Sequence, residues 1–187
     1  MEAGSAATHP STRHIARTVY GGEFERERAS PDVMQEPKRI WWARPRKLCA
    51  LERPGGGGRS HRPDRRRGEI EWLQDRGVRL VVSTMPTRHN LPAYEQAGLD
   101  WRHFPVRSAA EGAEALDELL RLLRRELRRR GAVAVHGNRH TDFVAAVCAA
   151  YLHEAAGTDP AEALAAARES GLAVTPEAYA LLGVDMA

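Results

Sequence analysis

The sequence predicts an α/β domain with a mostly parallel central sheet flanked by helices, and three stretches carry that prediction. Residues 78–83 and 132–135 are near-continuous apolar runs of strand length, the pattern expected when both faces of a sheet are covered. Residues 132–152, reading AVAVHGNRHTDFVAAVCAAYL, lead from the second run through a polar cluster into Phe143, Val144, Val147, Tyr151 and Leu152 at helical spacing, so they read as strand, tight loop and helix. Leu116, Leu119, Leu120, Leu123 and Leu127 mark the apolar face of another helix, with Arg121, Arg124 and Arg128 on its other faces.

Taken in order, residues 1–38 are mixed polar without sustained periodicity and read as a flexible tail, leaving 39–187 as the domain. Ile40, Trp41 and Trp42 need burial and are expected to cover a sheet edge. Residues 47–52 suit a short first strand. Residues 53–64, with Pro54 and four consecutive glycines, form a loop that lacks the Lys-Ser/Thr ending of a nucleotide-binding P-loop. Residues 65–76 read as a helix packing Ile70 and Leu73 and closed by Gly77.

The next connection, residues 84–92, carries Arg88 and His89 away from the carboxyl end of the strand at 78–83. Residues 102–106 supply a further strand, and the loop at 107–112 holds Ser108 and Glu111. Beyond residue 152, Asp159-Pro160 with Glu162 and Thr175-Pro176 with Glu177 are paired helix starts, each placing a capping side chain before a first-turn proline.

With 187 residues and 28% charged side chains, the natural expectation is one domain plus a tail. No apolar run is long enough to cross a bilayer and no signal-peptide pattern is present, which points to the cytoplasm. Two cysteines, Cys49 and Cys148, fit neither a disulfide framework nor a metal spacing, and both read as reduced core residues; no cofactor pattern accompanies them. The formal charge of +3 is unevenly placed, with arginines crowded between Arg44 and Arg67. No aromatic interleaves that run and no nucleic-acid motif accompanies it, so a solvated arginine-rich face is preferred to a nucleic-acid surface.

The residues of the 132–152 stretch resemble the signature of the cysteine-dependent dual-specificity and tyrosine phosphatases, in which a strand leads to His-Cys, five loop residues, Arg, a hydroxyl residue and a helix often ending in Ala-Tyr-Leu. His136 and the run Ala149, Ala150, Tyr151 and Leu152 match without a gap. Residues 69–83 are similar to the family's helix and strand before the crevice, 94–106 to its next strand and 113–130 to the helix before the signature. The resemblance spans roughly residues 48–182 and implies a three-layer phosphatase-like domain. It places Gly137 at the nucleophilic Cys, Phe143 at the phosphate-clamping Arg, Val144 at the hydroxyl and Ser108 at or near the general acid.

Phosphomonoester hydrolysis through a cysteinyl intermediate needs a thiolate, a guanidinium on the equatorial oxygens and an acid for the leaving oxygen. Gly137, Phe143 and Ser108 supply none of these, and losing one such group removes several orders of magnitude of rate. Two readings remain. In one, the chain is a pseudophosphatase, a ligand-binding or regulatory module whose crevice takes a small-molecule or phosphorylated ligand through Gly137, Asn138, Arg139, Thr141, Arg88 and Ser108, with a protein partner as another occupant. In the other, the scaffold is an enzyme of different chemistry, in which His140, Asp142 and His136 provide acid–base groups for a small metabolite. His136 can equally be a structural histidine, and Thr141 or Asp142 a helix N-cap. His136 and His140 straddle a loop, so their four-residue spacing does not define a metal site.

Overall fold

The computed structural model describes residues 34–56, 62–107, 109–138 and 141–186. Residues 1–33, most of the expected tail, lie outside the described residues, as do Ser108, Arg139 and His140. The chain runs β1 (Ile40–Arg44), β2 (Leu48–Glu52), α1 (Pro63–Asp75), β3 (Val78–Ser83), α2 (Leu91–Gln96), β4 (Asp100–His103), α3 (Ala109–Glu126), β5 (Ala132–Gly137), α4 (Asp142–Ala156), α5 (Pro160–Glu169) and α6 (Pro176–Leu182). No helix among the described residues is long and apolar enough to cross a membrane.

Five strands form one sheet in the order β1-β2-β5-β3-β4, with β2, β5, β3 and β4 mutually parallel and β1 antiparallel on the edge. The apolar run of β5 is central because every one of its six residues is buried. Side chains alternate across the pleat. Val133 and Val135 therefore face α3–α6 together with Leu119, Leu123, Val147 and Leu164, while Ala132 and Ala134 face Ile70, Leu73 and Tyr94 on the other side. This is the three-layer α/β arrangement expected from the sequence.

Three local assignments differ from the sequence reading. The tryptophans do not cover an edge strand; they form it, Trp41 facing the α3–α6 layer and Trp42 the α1 layer. Residues 91–96 are a helix with Pro92 in its first turn, and the strand beside it is Asp100–His103, not 102–106, because Leu91 and Tyr94 bury one helical face against the sheet. The third helix begins at Ala109 and ends at Glu126, four residues earlier at each end than the resemblance implied. The two proline-started helices have the expected caps, Asp159 Oδ1 accepting from Ala161 N at 2.8 Å and Thr175 Oγ1 from Glu177 N at 3.3 Å. Cys49 and Cys148 are free and fully buried, and burial pushes both thiols up, which makes them packing groups and not nucleophiles.

The β1–β2 turn carries one strained position. Lys47 N donates to Arg44 O across Pro45 and Arg46, and Arg46 has φ 57°, the left-handed region that glycine occupies at this place in a turn with proline before it. An L side chain there costs on the order of 1 kcal/mol. Arg46→Gly should therefore raise stability by about 0.5–1 kcal/mol after allowing for the freer unfolded chain, a rise of a few degrees at most in a calorimetric melt.

Candidate functional site

The carboxyl ends of β2, β5 and β3 meet at one rim, where open parallel sheets hold their ligands. Glu52 pairs with Gly137 and Ser83 with His136 in the last rungs of the sheet. Beyond them the loops are laced together by backbone bonds. Gly137 O accepts from Arg53 N at 3.0 Å, His136 O from Thr84 N at 2.9 Å and Thr84 Oγ1 at 3.1 Å, and Thr84 O from Val106 N at 3.1 Å.

His136 lies beneath this rim and is fully buried. Its Nε2 is 2.9 Å from the hydroxyl of Tyr94, also fully buried, with the rings edge-on at 5.8 Å between centroids. Its Nδ1 is 3.5 Å from Gly137 O. Burial drives the imidazole pKa down to about 4; the Gly137 carbonyl opposes this, and the charges of Arg53 and His103 add to it. The ring is therefore neutral at pH 7. The assignment that satisfies both neighbours puts the proton on Nδ1, donating to Gly137 O, and lets Nε2 accept from the Tyr94 O–H, since burial pushes the phenol up and keeps it protonated.

Thr141 and Asp142 open α4 and are both buried, but neither caps it through a side chain. Thr141 Oγ1 donates to Ala173 O at 2.9 Å, and Asp142 Oδ1 accepts from Thr175 N at 2.5 Å. Both therefore pin the start of α4 to the α5–α6 connection, which binds the first turn of the central helix to the last helix of the chain. Phe143 packs against the α3–α6 core and lies over the first turns of α3; a Cβ placed on Gly112 would stand 3.1 Å from its Cδ2. Glycine at 112 is what lets the ring lie that close.

The remaining sequence candidates are scattered. Gly137 is buried and Asn138 exposed. Arg88 is exposed and lines a cavity of about 580 Å³ at the β4 edge with Glu95, Asp100, Trp101 and His103, which includes none of the described residues from 136 to 142. No three His, Cys, Asp or Glu side chains converge among the described residues in a way that could hold a metal ion.

Two features had no sequence signal. One is the Tyr94–His136 pair, which joins residues 42 positions apart. The other is Glu69, almost fully buried on α1, which accepts from Gly55 N at 2.7 Å and from Arg65 Nε at 2.6 Å and so braces the described start of the glycine-rich loop. The groove of about 590 Å³ between α1 and α2 was legible in part: it has an apolar floor including Ile70, Ala93 and Ala97 with Arg66 and His89 at its rim. The apolar spacing of α1 hinted at only one wall of it.

No family model matches the chain, and no curated protein does. Solved structures match its fold. Human DUSP28 superposes with a TM-score of 0.58 at 22% identity, covering 81% of this chain and 94% of that one. P. aeruginosa TpbA in complex with pTyr superposes with a TM-score of 0.59 at 21% identity, covering 84% and 93%. A putative protein tyrosine phosphatase from Leishmania major superposes with a TM-score of 0.56 at 22% identity, covering 74% and 87%. At these identities the likeness is one of fold, and the fold is phosphatase-like.

Proposed function

We propose that the chain is a pseudophosphatase, a phosphatase-like fold retained as a ligand-binding or regulatory module. The observation that carries this reading is the employment of Asp142. Its Oδ1 is taken up by Thr175 N at 2.5 Å, and the neighbouring Thr141 hydroxyl by Ala173 O, so the carboxylate that an acid–base enzyme would use is held in the joint between α4 and α6. His136 supports it from below, because its Nε2 faces a buried phenol and not the crevice. The positions that the resemblance assigns to nucleophile, clamp and acid hold Gly137, Phe143 and Ser108, and Phe143 is packed against the core.

A module binds without turning over. Titrating phosphate, phosphotyrosine, sugar phosphates and a broad metabolite set into the protein in a calorimeter separates the two readings. The module reading expects at least one compound to give heats that saturate at a fixed stoichiometry and no sustained thermal power. A steady power proportional to protein, abolished by Asp142→Asn in a variant that still melts cooperatively, overturns it in favour of the repurposed enzyme.

A further inference from the structure

At the opposite end of the sheet, where the parallel strands begin, cations gather from three segments that the sequence keeps apart. The β1–β2 turn, the start of β3 and the end of α3 are joined there: Lys47 Nζ donates to Arg129 O at 3.3 Å, and an Arg79 guanidinium nitrogen donates to Glu126 O at 2.5 Å. Acids are few. The carboxylate of Glu126 is shared by Arg79 at 3.1 Å, Arg125 at 3.1 Å and Arg129 at 3.4 Å. Among the described residues Arg46, Lys47, Arg128 and Arg130 have no carboxylate partner, and Arg79 Nε is a buried donor without an acceptor. Positive charge is in excess at this end.

Beside it lies a concave site of about 660 Å³, lined by Trp42, Pro45, Arg46, Asp75, Arg76 and Gly77. Trp42 is half-buried and presents an aromatic wall. The Arg76 guanidinium carbon stands 4.8 Å from the centroid of the Trp72 ring, and its ion pair with Asp75 is long, at 3.8 Å between exposed groups. Arg46, exposed and without a hydrogen bond among the described residues, holds its side chain at this site from a left-handed backbone that glycine would occupy without strain. A strained backbone retained under an exposed side chain with no hydrogen bond or ion pair among the described residues leaves that guanidinium free for a ligand.

We propose that this end of the sheet binds single-stranded nucleic acid, with a base received beside Trp42 and the flanking phosphates held by Arg46, Arg76 and Lys47. An aromatic wall beside one unpaired guanidinium, Arg46, and one held only by a long exposed ion pair, Arg76, is the chemistry by which single strands are held without sequence preference. The arginine run alone lacks an aromatic; the fold supplies one from β1. An anionic membrane fits less well, since the large exposed apolar side chains among the described residues are Met34 and Met186, and no apolar wedge stands among these cations.

The test is fluorescence anisotropy of a labelled oligothymidylate with the full chain, titrated at several salt concentrations. Each phosphate contact contributes about 0.7 to the slope of log affinity against log salt for a single strand. Arg46→Gly is expected to stay folded, to weaken binding at least fivefold at low salt and to flatten the slope by about 0.7, through loss of one contact. Trp42→Leu should weaken binding with the slope unchanged, and the remote exposed Arg168→Ala should change neither. The proposal fails if the oligonucleotide does not bind at low salt or if Arg46→Gly binds as the wild type does. It fails too if vesicles rich in phosphatidylserine, polyglutamate or thymidine monophosphate displace the strand at equal charge concentration.

Discussion

Acidification from pH 7 to pH 4 should remove roughly 3 kcal/mol of folding free energy through His136 alone, because its imidazole falls from an unfolded value near 6.5 to about 4 in the fold. The sign follows from proton counting. Between those two values the unfolded chain binds a proton that the folded one refuses, so stability rises with pH across the window, is complete above about 6.5 and is lost as pH falls towards 4. The groups that contact the ring are the Tyr94 hydroxyl and the Gly137 carbonyl, the charges of Arg53 and His103 act on it as well, and the phenol stays protonated throughout. Carboxylates that titrate at the acid end of the window steepen the wild-type curve, so the informative quantity is a difference. His136→Asn, which keeps a polar side chain but cannot titrate, should be less stable at pH 7 yet lose less on acidification. Urea melts of both proteins at half-unit steps from pH 7.5 to 4.5 measure this, and parallel curves would show that the buried imidazole is not the acid-sensitive group.

Removing the Asp142 carboxylate should be the most damaging single change at the rim. Asp142→Ala deletes a charged acceptor from Thr175 N and an anion from the first turn of α4, losses of about 1.5–3 and 0.3–1 kcal/mol respectively. For a chain of this length the combined loss lowers the melting temperature by about 5–10 °C. Asp142→Asn keeps an acceptor and should lose about half as much. The sign discriminates between readings, since residues held for chemistry are often strained and their replacement commonly leaves stability unchanged or raises it. Hydrogen exchange gives the location: protection should fall at Thr175 and along α6 in Asp142→Ala. A variant that melts at or above the wild-type temperature would return Asp142 to the acid–base candidates.

How much of this was legible in the chain depends on the distance over which each signal acts. The β5–loop–α4 unit was readable because its evidence is local, an apolar run buried on both faces followed at once by helical spacing. The caps at Asp159 and Thr175 were readable for the same reason, each being settled within three residues. Helix α2 was not, since six residues beginning Leu-Pro offer too little periodicity to outweigh the strand that follows. At the rim the residue types could be read but not their employment. Asp142 in sequence serves equally as cap or catalyst, and what decides is an amide 33 positions later; His136 is decided by a tyrosine 42 positions earlier. Trp42 and Arg76 likewise meet beside Arg46 only through the pairing of β1 with β2 and the packing of α1.

The most direct test of the central claim, that a phosphatase-like fold here lacks phosphatase chemistry, is release of p-nitrophenolate from p-nitrophenyl phosphate with protein in excess. The account predicts no release above the buffer rate between pH 5.5 and 8, in the wild type and in Asp142→Asn alike. A burst stoichiometric with protein is the signature of a covalent intermediate. Such a burst, or a steady rate that Asp142→Asn abolishes while the fold survives, would contradict it.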